Sequence, residues 1–323
     1  MASSSRGLVK LLALALSGMA FPAPAQEIYP SAAIRVVLGF PPGATTDVLA
    51  RALAQRFSAQ MHTNAIVDNK PGANGNIGAD FVAKSKPDGH TVLVNTPSVI
   101  LSPALGEKLN YNVMTDLAPV ALVCSGPMVL LVHPSIPVNT AGEMIAHIKA
   151  NPGKLAYGSG GVGNNTHLTP LLFLQTNGLS ALHVPYKGTA DALTDIVGGR
   201  IQFAMQNIGA VAPLVKDKRI RALAITSLKR SALLPDVPTL NESAMPGFEA
   251  VTYFGVLVPA KTPAAIIRKL NSEILKALQE PEFKSRIEPE AVDLLGSTPE
   301  EYGAYLKNEL ERWTKVVKSG GIE

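Results

Sequence analysis

The stretch that decides the fold reads Ile34-Arg-Val-Val-Leu-Gly-Phe-Pro-Pro-Gly-Ala-Thr-Thr-Asp47 and leads into the helix-like run VLARALAQRF. A second stretch of the same kind reads Leu155-Ala-Tyr-Gly-Ser-Gly-Gly-Val-Gly-Asn-Asn-Thr-His167 and leads into LTPLLFLQ. In each, an apolar segment precedes a glycine-rich loop, and the loop opens a helical pattern. Glycine lets the backbone approach a ligand, and the first turn of a helix presents unpaired N–H groups that favour negative charge. The two loops together predict a clamp for a small anion.

Strand-like and helix-like segments alternate along the rest of the chain, which predicts an α/β architecture with largely parallel sheets. Two long apolar segments, 128–132 and 253–258, are the best candidates for strands that cross between two domains. Two crossings would return the C-terminal helices to the first domain. We therefore expect domain 1 to combine 26–127 with 255–323 and domain 2 to comprise 128–254. A cleft between two hinged domains is a common binding place for small ligands.

The N-terminus has the pattern of a secretory signal peptide over residues 1–25. Arg6 and Lys10 flank the apolar run LLALAL, and Ala23-Pro24-Ala25 offers a small-x-small cleavage site. The apolar run is shorter than the roughly 20 residues that a membrane-spanning helix needs. The sequence therefore predicts a protein exported to the periplasm that starts near Gln26, with a retained N-terminal anchor as the alternative.

Charge and cysteine content limit the classes of function. The chain carries 29 Lys and Arg against 25 Asp and Glu, a formal charge of +4, and the basic residues are scattered. This balance does not indicate a nucleic-acid partner. Cys124 is the only cysteine, which excludes an intrachain disulfide, and the dispersed histidines show no metal-ligand spacing. We expect no metal and no cofactor.

Several segments resemble one known family. They are FPPGATTD with LARALAQ, DNKPGANGNIGADFVAKSKPDG, YGSGGVGNNTHL, HVPYKGTADALTDIVGGRIQF and RALAITSLKRSALLPDVPTLNE. Together they resemble the periplasmic substrate-binding proteins of tripartite tricarboxylate transporters, the Bug or TctC-type family. The resemblance runs from about Tyr29 to the C-terminus. The chain departs from the family's pattern at Ala44, Thr45, Asn164 and Tyr253, changes that we expect to reshape the pocket.

The resemblance implies a two-domain periplasmic binding protein of the Venus-flytrap type, type II-like, with two crossover strands. Its cleft would close on a small carboxylate that is held more by backbone amides and water than by an arginine. It also implies a monomer that is not an enzyme and that serves the membrane permease subunits of such a transporter. The first clamp would comprise Phe40, Pro41, Pro42, Gly43, Thr46 and Asp47. The second would comprise Ser159, Gly160, Gly161, Gly163, Thr166 and His167.

Several side chains can be interpreted either as structural residues or as ligand-binding residues. We expect Asp47 to orient the first clamp, because a ligand carboxylate would be repelled by it. Thr46 would cap the first helix, and His167 would be structural. Further binding candidates at predicted element ends are Asn76, Thr96 and Asn207, each of which could equally be a turn residue.

Other functions remain open at this point. Gly158-x-Gly160-x-x-Gly163 satisfies the spacing of a dinucleotide-binding fingerprint, although no acidic residue follows the next strand, as an oxidoreductase would need. A hydrolase has less support from the sequence, because Tyr157 replaces the first glycine of a G-x-S-x-G elbow. A ligand sensor that docks on a membrane receptor would use the same cleft as a transport protein.

Overall fold

The structure, a computed structural model, describes residues 29–319. The chain divides into a unit that ends at Ser31 and a compact unit that begins at Ala32, and the fold described below is that of the second unit. The signal peptide predicted for residues 1–25 lies outside the described residues. Among the described helices, none has both the length and the apolar character that crossing a membrane requires.

The described elements alternate between strands and helices, as the sequence predicts. The strands are β1 (Ile34–Leu38), β2 (Ala65–Asn69), β3 (Thr91–Asn95), β4 (Leu117–Val132), β5 (Ala156–Ser159), β6 (Leu182–Pro185), β7 (Phe203–Asn207), β8 (Arg221–Ile225), β9 (Val251–Pro259) and β10 (Asp293–Leu294). The helices are α1 (Thr45–Met61), α2 (Asn76–Ala83), α3 (Ser98–Ala104), α4 (Val113–Asp116), α5 (Ala141–Ala150), α6 (Asn165–Thr176), α7 (Thr189–Val197), α8 (Ile208–Lys216), α9 (Leu240–Ser243), α10 (Ala264–Ala277), α11 (Pro281–Ile287) and α12 (Pro299–Ser319).

The strands form one sheet in the order β2-β1-β3-β9-β4-β7-β5-β6, with β8 and β10 also paired to β4. β1 is parallel to β2 and β3, and its apolar run is buried at Ile34, Val36, Val37 and Leu38. A parallel strand that is covered on both faces needs such a continuous apolar sequence. The first glycine-rich loop therefore starts from a fixed strand end.

The long strand β4 links two halves of the sheet. The sequence predicts separate strands at 118–124 and 128–132, but the structure joins them into one strand of 16 residues. Residues 117–127 pair antiparallel with β9, whereas 128–132 pair with β7 and β8. We call β1–β3, β9, β10 and the start of β4 the first half, and β5–β8 and the end of β4 the second half.

The second half repeats the arrangement of the first. β5 is parallel to β6 and to β7, and the second glycine-rich loop follows β5 directly. Apolar side chains on the two faces of this half form separate clusters, one around Phe173 and Phe203 and one around Val129 and Ile225. Both glycine-rich loops thus leave the carboxyl end of a parallel strand, where ligands bind in open α/β sheets.

The C-terminal helices pack against the first half. The Tyr302 hydroxyl on α12 donates to Asn95 Oδ1 at 2.9 Å. A Cβ added at Gly255 on β9 would lie 2.2 Å from the Tyr302 hydroxyl oxygen, so this close approach requires glycine. The sequence predicts a proline at the first position of each of the last two long helices, Pro263 and Pro299. Pro299 does open α12, whereas Pro263 is the N-cap of α10 and lies just outside that helix.

Candidate functional site

The first glycine-rich loop is held in place by Asp47 in the first turn of α1. The buried Asp47 carboxylate accepts hydrogen bonds from the Gly43 N–H at 3.1 Å, Arg51 Nε at 2.9 Å and Asn69 Nδ2 at 3.0 Å. Asn69 Nδ2 also donates to the Phe40 carbonyl at 3.0 Å. Burial raises the pKa of Asp47, but the hydrogen bonds from Arg51, Asn69 and Gly43 outweigh burial and lower the pKa below its usual range. Asp47 therefore orients the loop through bonds within the protein.

The start of α1 is open to a hydrogen-bond acceptor. Ala44 is the N-cap residue and no side chain caps the helix, so the prediction that Thr46 caps it was wrong. Thr46 lies inside the first turn, and the residue before it, Thr45, donates its hydroxyl to Glu290 Oε2 at 2.5 Å. Within residues 29–319, the N–H groups of Ala44, Thr45 and Thr46 have no hydrogen-bond acceptor. The helix start thus retains the unpaired donors that attract an anion.

The second glycine-rich loop uses its own side chains to satisfy its glycine N–H groups. The three bonds run from Gly160 to Thr166 Oγ1 at 2.8 Å, from Gly161 to Ser159 Oγ at 3.2 Å and from Gly163 to His167 Nδ1 at 3.2 Å. The sequence predicts all six of these residues as the second clamp. In the structure they shape the loop by binding one another.

The donors left open beside this loop belong to the start of α6. Asn164 caps the helix, since its Oδ1 accepts from the His167 N–H at 3.2 Å. In the described part of the chain, no acceptor binds the N–H groups of Asn164, Asn165 and Thr166. Two helix starts, those of α1 and α6, therefore each present three free donors.

Three stacked rings, those of Tyr157, His183 and His167, pack next to the second loop. The rings of His167 and His183 lie parallel with their centroids 3.9 Å apart, and Tyr157 stacks on His183 at 4.9 Å. Ser159 Oγ lies 2.7 Å from His183 Nε2. Burial lowers the pKa of both histidines to about 4, and the neighbouring His183 contributes to the shift of His167. With pKa values this low, both rings are neutral at neutral pH.

A small cavity of about 10 Å³, with room for roughly one water molecule, lies where the two halves of the sheet meet. The residues that line it are Thr45, Gly126, Pro127, Asn207, Thr252, Phe254, Glu290 and Val292. The Thr252 hydroxyl donates to Asn207 Oδ1 at 2.7 Å and accepts a hydrogen bond from Asn165 Nδ2. Thr45 brings the start of α1 to the cavity, and Asn165 ties the start of α6 to the cavity wall. None of the residues predicted for either clamp is among those that line the cavity.

The cleft is closed at its other side by contacts between the two loop regions. Asn74 Nδ2, just before α2 in the first half, donates to the Val162 carbonyl in the second loop at 2.6 Å. A Cβ added at Gly163 would lie 2.8 Å from Leu105 Cδ1. These contacts join the two halves beside the second loop.

The other predicted binding residues differ in where they lie. Asn207 lines the cavity. Asn76 is buried in a polar network, in which it donates to Ser102 Oγ at 2.7 Å and accepts from the Tyr111 hydroxyl at 2.8 Å. Thr96 accepts the Ser98 N–H at 3.4 Å. Pro41 and Pro42 are exposed at the tip of the first loop, as is Gly43.

The sequence did not identify Thr252 or Glu290 as site residues, and it noted Thr45 only as a departure from the family pattern. Thr45 and Glu290 are 245 positions apart in the chain, so no local pattern joins them. Glu290 ends a short 3₁₀ turn, Glu288–Glu290, in a segment rich in charged residues that resembles a solvated surface. Only the packing of this turn beneath the cleft reveals its position.

Within residues 29–319, no group of three or more histidine, cysteine, aspartate or glutamate side chains could hold a metal ion. Packing explains the first glycine of the Gly158-x-Gly160-x-x-Gly163 spacing. A Cβ added at Gly158 would lie 2.3 Å from Ile201 Cδ1, so the side chain of Ile201 fills the space that a larger residue would need.

Comparison with known proteins identifies the class. Residues 49–322 match the sequence model of the tripartite tricarboxylate transporter family receptor. Protein BugT of Bordetella pertussis (strain Tohama I) is 35% identical over 312 residues, which are 96% of this chain and 95% of BugT.

Two solved structures extend the match to the fold. R. palustris Rpa4515, solved with adipate, superposes with a TM-score of 0.82 and 33% identity over 91% of this chain and 98% of its own. The periplasmic binding protein BugD superposes with a TM-score of 0.80 and 31% identity over 91% of this chain and 99% of its own.

The fold and the cleft are therefore those of a two-domain α/β periplasmic solute-binding protein. The chain belongs to the tripartite tricarboxylate transporter receptor family, the Bug or TctC type. Proteins of this family bind solutes and are not enzymes, so the dinucleotide-dependent oxidoreductase and the hydrolase are set aside.

Proposed function

We propose that this protein captures a small carboxylate-containing molecule between its two domains and delivers it to the permease subunits of a tripartite tricarboxylate-type transporter. The observation that carries the proposal is the start of α6. Its N–H groups at Asn164, Asn165 and Thr166 have no acceptor among residues 29–319, and the Asn165 side chain binds Thr252 in the cavity wall. A helix start with unpaired donors stabilises a carboxylate without an arginine.

The same proposal includes the division of the chain into two domains and its export to the periplasm. Domain 1 comprises 26–127 and 255–323, and domain 2 comprises 128–254. The partner change of β4 between Pro127 and Met128 supports the first crossing, and the start of β9 at Val251 lies near the second. A ligand that contacts both domains would favour the closed state over the open one. Residues 1–25 would act as the signal peptide for export to the periplasm.

The proposed ligand contacts comprise the two clamps implied by the family pattern and three residues at predicted element ends. They comprise Phe40, Pro41, Pro42, Gly43, Thr46, Asp47, Asn76, Thr96, Ser159, Gly160, Gly161, Gly163, Thr166, His167 and Asn207. The hydrogen bonds described above divide this set by role. Asn207 and the start of α6 would contact the ligand, while Asp47, Ser159 and His167 would hold the loops that surround it.

A thermal-shift screen of the chain from Gln26 onward tests capture. The panel contains mono-, di- and tricarboxylates and amino acids, with NAD and NADP as controls. A ligand at ~100 times its dissociation constant stabilises the folded state by ~2.7 kcal/mol, which raises the melting temperature by several degrees. A shift with carboxylates alone supports the proposal, and a shift with a dinucleotide alone overturns it.

Delivery to a permease needs a separate test in the host cell. Removing the gene should abolish uptake of the carboxylate that stabilises the purified protein, and restoring the gene should recover it. Uptake that continues unchanged in the absence of the gene would overturn the transport assignment.

A further inference from the structure

A surface groove on the first half of the sheet shares no residue with either glycine-rich loop. Its volume is about 220 Å³, whereas an apolar cavity of about 150 Å³ is enough to hold a benzene molecule. The groove therefore has room for a ring or a short alkyl chain that carries a small polar group. Its lining includes Leu275, Leu278 and Gln279 at the end of α10, Lys284 on α11, and Leu295 and Gly296 just after β10.

The floor of the groove is fixed by its packing against the sheet. The Gly296 N–H donates to the Leu122 carbonyl of β4 at 3.1 Å, and Gly296 has a left-handed φ of +72°. A Cβ added at Gly296 would lie 3.0 Å from Leu275 Cδ2 and 3.1 Å from Leu278 Cδ1, so these leucines pack directly against the backbone. Because the floor is already ordered, a ligand that binds there loses little free energy to the ordering of side chains.

Leucine side chains in the groove remain in contact with water. Leu295 is 49% exposed, and Leu275 and Leu294 are half-buried. A single exposed leucine is ordinary on a protein surface, but these three line one concave groove. A ligand with an apolar body would cover them together, and the removal of apolar surface from water favours binding.

One positive charge lies at the rim of the groove. Of the described residues that line the groove, Lys284 is the only one that carries a charge. Its ammonium group takes part in none of the ion pairs formed within residues 29–319. The nearby carboxylates of Glu280 and Glu282 are paired with Arg56 on α1. The groove therefore joins an apolar floor to an ammonium group that is free to bind an anion.

We propose that this groove is a second binding site, which takes an amphipathic monocarboxylate with an apolar ring or chain of about six carbons. The carboxylate accepts from the Lys284 ammonium group, and the apolar body lies over Leu275, Leu278 and Leu295. A second carboxylate on the ligand would lie against leucine side chains with no cation to pair with, which costs free energy, so dicarboxylates are disfavoured. This site is independent of the proposed capture of a carboxylate in the cleft.

Calorimetry with phenylacetate as the probe tests the proposal on the chain from Gln26 onward. The wild type should bind phenylacetate with a dissociation constant in the millimolar range or below. K284Q removes the charge at the rim and should weaken binding about fivefold. L295E places a carboxylate on the exposed leucine and should weaken binding about tenfold, because it repels the probe and removes apolar contact.

Two exposed residues outside the groove provide matched controls. K261Q removes the charge of an exposed lysine that takes part in no ion pair within residues 29–319. L228E places a carboxylate on a leucine that is 47% exposed and follows β8 in the second half. Both variants should bind phenylacetate as the wild type does. Melting temperatures of all four variants show whether the fold is retained.

G161V, which we expect to weaken ligand binding in the cleft, shows which site the probe occupies. Phenylacetate binding that is unchanged in G161V and weakened in K284Q and L295E supports the groove. Binding that is lost in G161V and unchanged in L295E would place the probe in the cleft and overturn the proposal, as would the absence of measurable binding by the wild type. A carboxylate found in the thermal-shift screen to bind the cleft should stabilise L295E as much as the wild type, so the two proposals fail separately.

Discussion

Gly161 shows how one backbone angle can decide the shape of a binding loop. Its φ is +135°, a conformation that residues with a side chain rarely adopt, and its N–H binds Ser159 Oγ. The space around it is sufficient, because a Cβ would meet its nearest atoms, Asn74 Oδ1 and the Tyr186 carbonyl oxygen, at an ordinary 3.6 Å. The requirement for glycine here comes from the backbone and not from crowding.

Gly161→Val should therefore distort the second loop without disrupting the sheet. We expect a loss of stability of about 1–3 kcal/mol from backbone strain and at least a tenfold loss of ligand affinity. Urea unfolding and calorimetry measure the two effects. Gly142→Ala is the control, since Gly142 lies in α5 with nothing within 4 Å and alanine is favoured there by roughly 0.5–1 kcal/mol. Full affinity in Gly161→Val would contradict the role of this loop.

At the scale of elements, the start of α6 connects loop shape to ligand binding. Asn164 caps this helix and also accepts a hydrogen bond from the Thr166 hydroxyl at 2.6 Å. Since Thr166 in turn accepts the Gly160 N–H, one side chain supports both the helix start and the glycine loop.

Asn164→Ala should weaken both the start of α6 and the second glycine-rich loop. Loss of an N-cap costs about 1 kcal/mol of stability, and the loosened donors should reduce ligand affinity several-fold. Asn177→Ala is the matched control at the other end of α6, where Asn177 donates to the Phe173 carbonyl at 2.8 Å. The control should lose stability without losing affinity. A loss of affinity of the same size in both variants would argue against a special role for the start of α6.

The histidine stack between β5, β6 and α6 predicts how stability depends on pH. Both pKa values are lowered to about 4 in the folded state, so the unfolded chain takes up more protons than the folded one below pH 6.5. Stability should be complete above pH 6.5 and should fall as the pH decreases toward 4. The slope is up to about 1.4 kcal/mol per pH unit for each histidine.

Urea unfolding at several pH values between 7 and 4 measures this effect. His183→Phe keeps a ring in the stack but cannot take up a proton, so its stability should fall less steeply over the same range. The exposed His62 serves as the control in His62→Asn, which should retain the wild-type profile. A profile for His183→Phe as steep as the wild type would contradict the assignment.

At the scale of the whole molecule, Asn74 makes one of the contacts between the two halves. Its side chain donates to the Val162 carbonyl, and its φ of 54° is left-handed. Removal of this contact would shift the equilibrium between open and closed states, and thereby lower the apparent ligand affinity.

Asn74→Gly removes the side chain and keeps the left-handed backbone accessible. We expect a several-fold weaker ligand affinity and a larger radius of gyration in X-ray scattering without ligand. Asn151→Ala, which removes a contact to the His147 carbonyl within one helix, is the control. An unchanged radius and affinity in Asn74→Gly would show that this contact does not hold the cleft closed.

The sequence by itself determined the α/β alternation, the strands that lead into both glycine loops, the family and the loop-orienting role of Asp47. These follow from apolar runs, glycine positions and local hydrogen bonds, which depend on neighbours in the chain. The tertiary structure decided that β4 is a single strand shared by both halves, that Thr46 does not cap α1, and that the glycine N–H groups bind their own loop. It also placed Glu290 beside Thr45. Contacts between residues so distant in the chain arise only when the sheet brings them together, and for that reason no local pattern could show them.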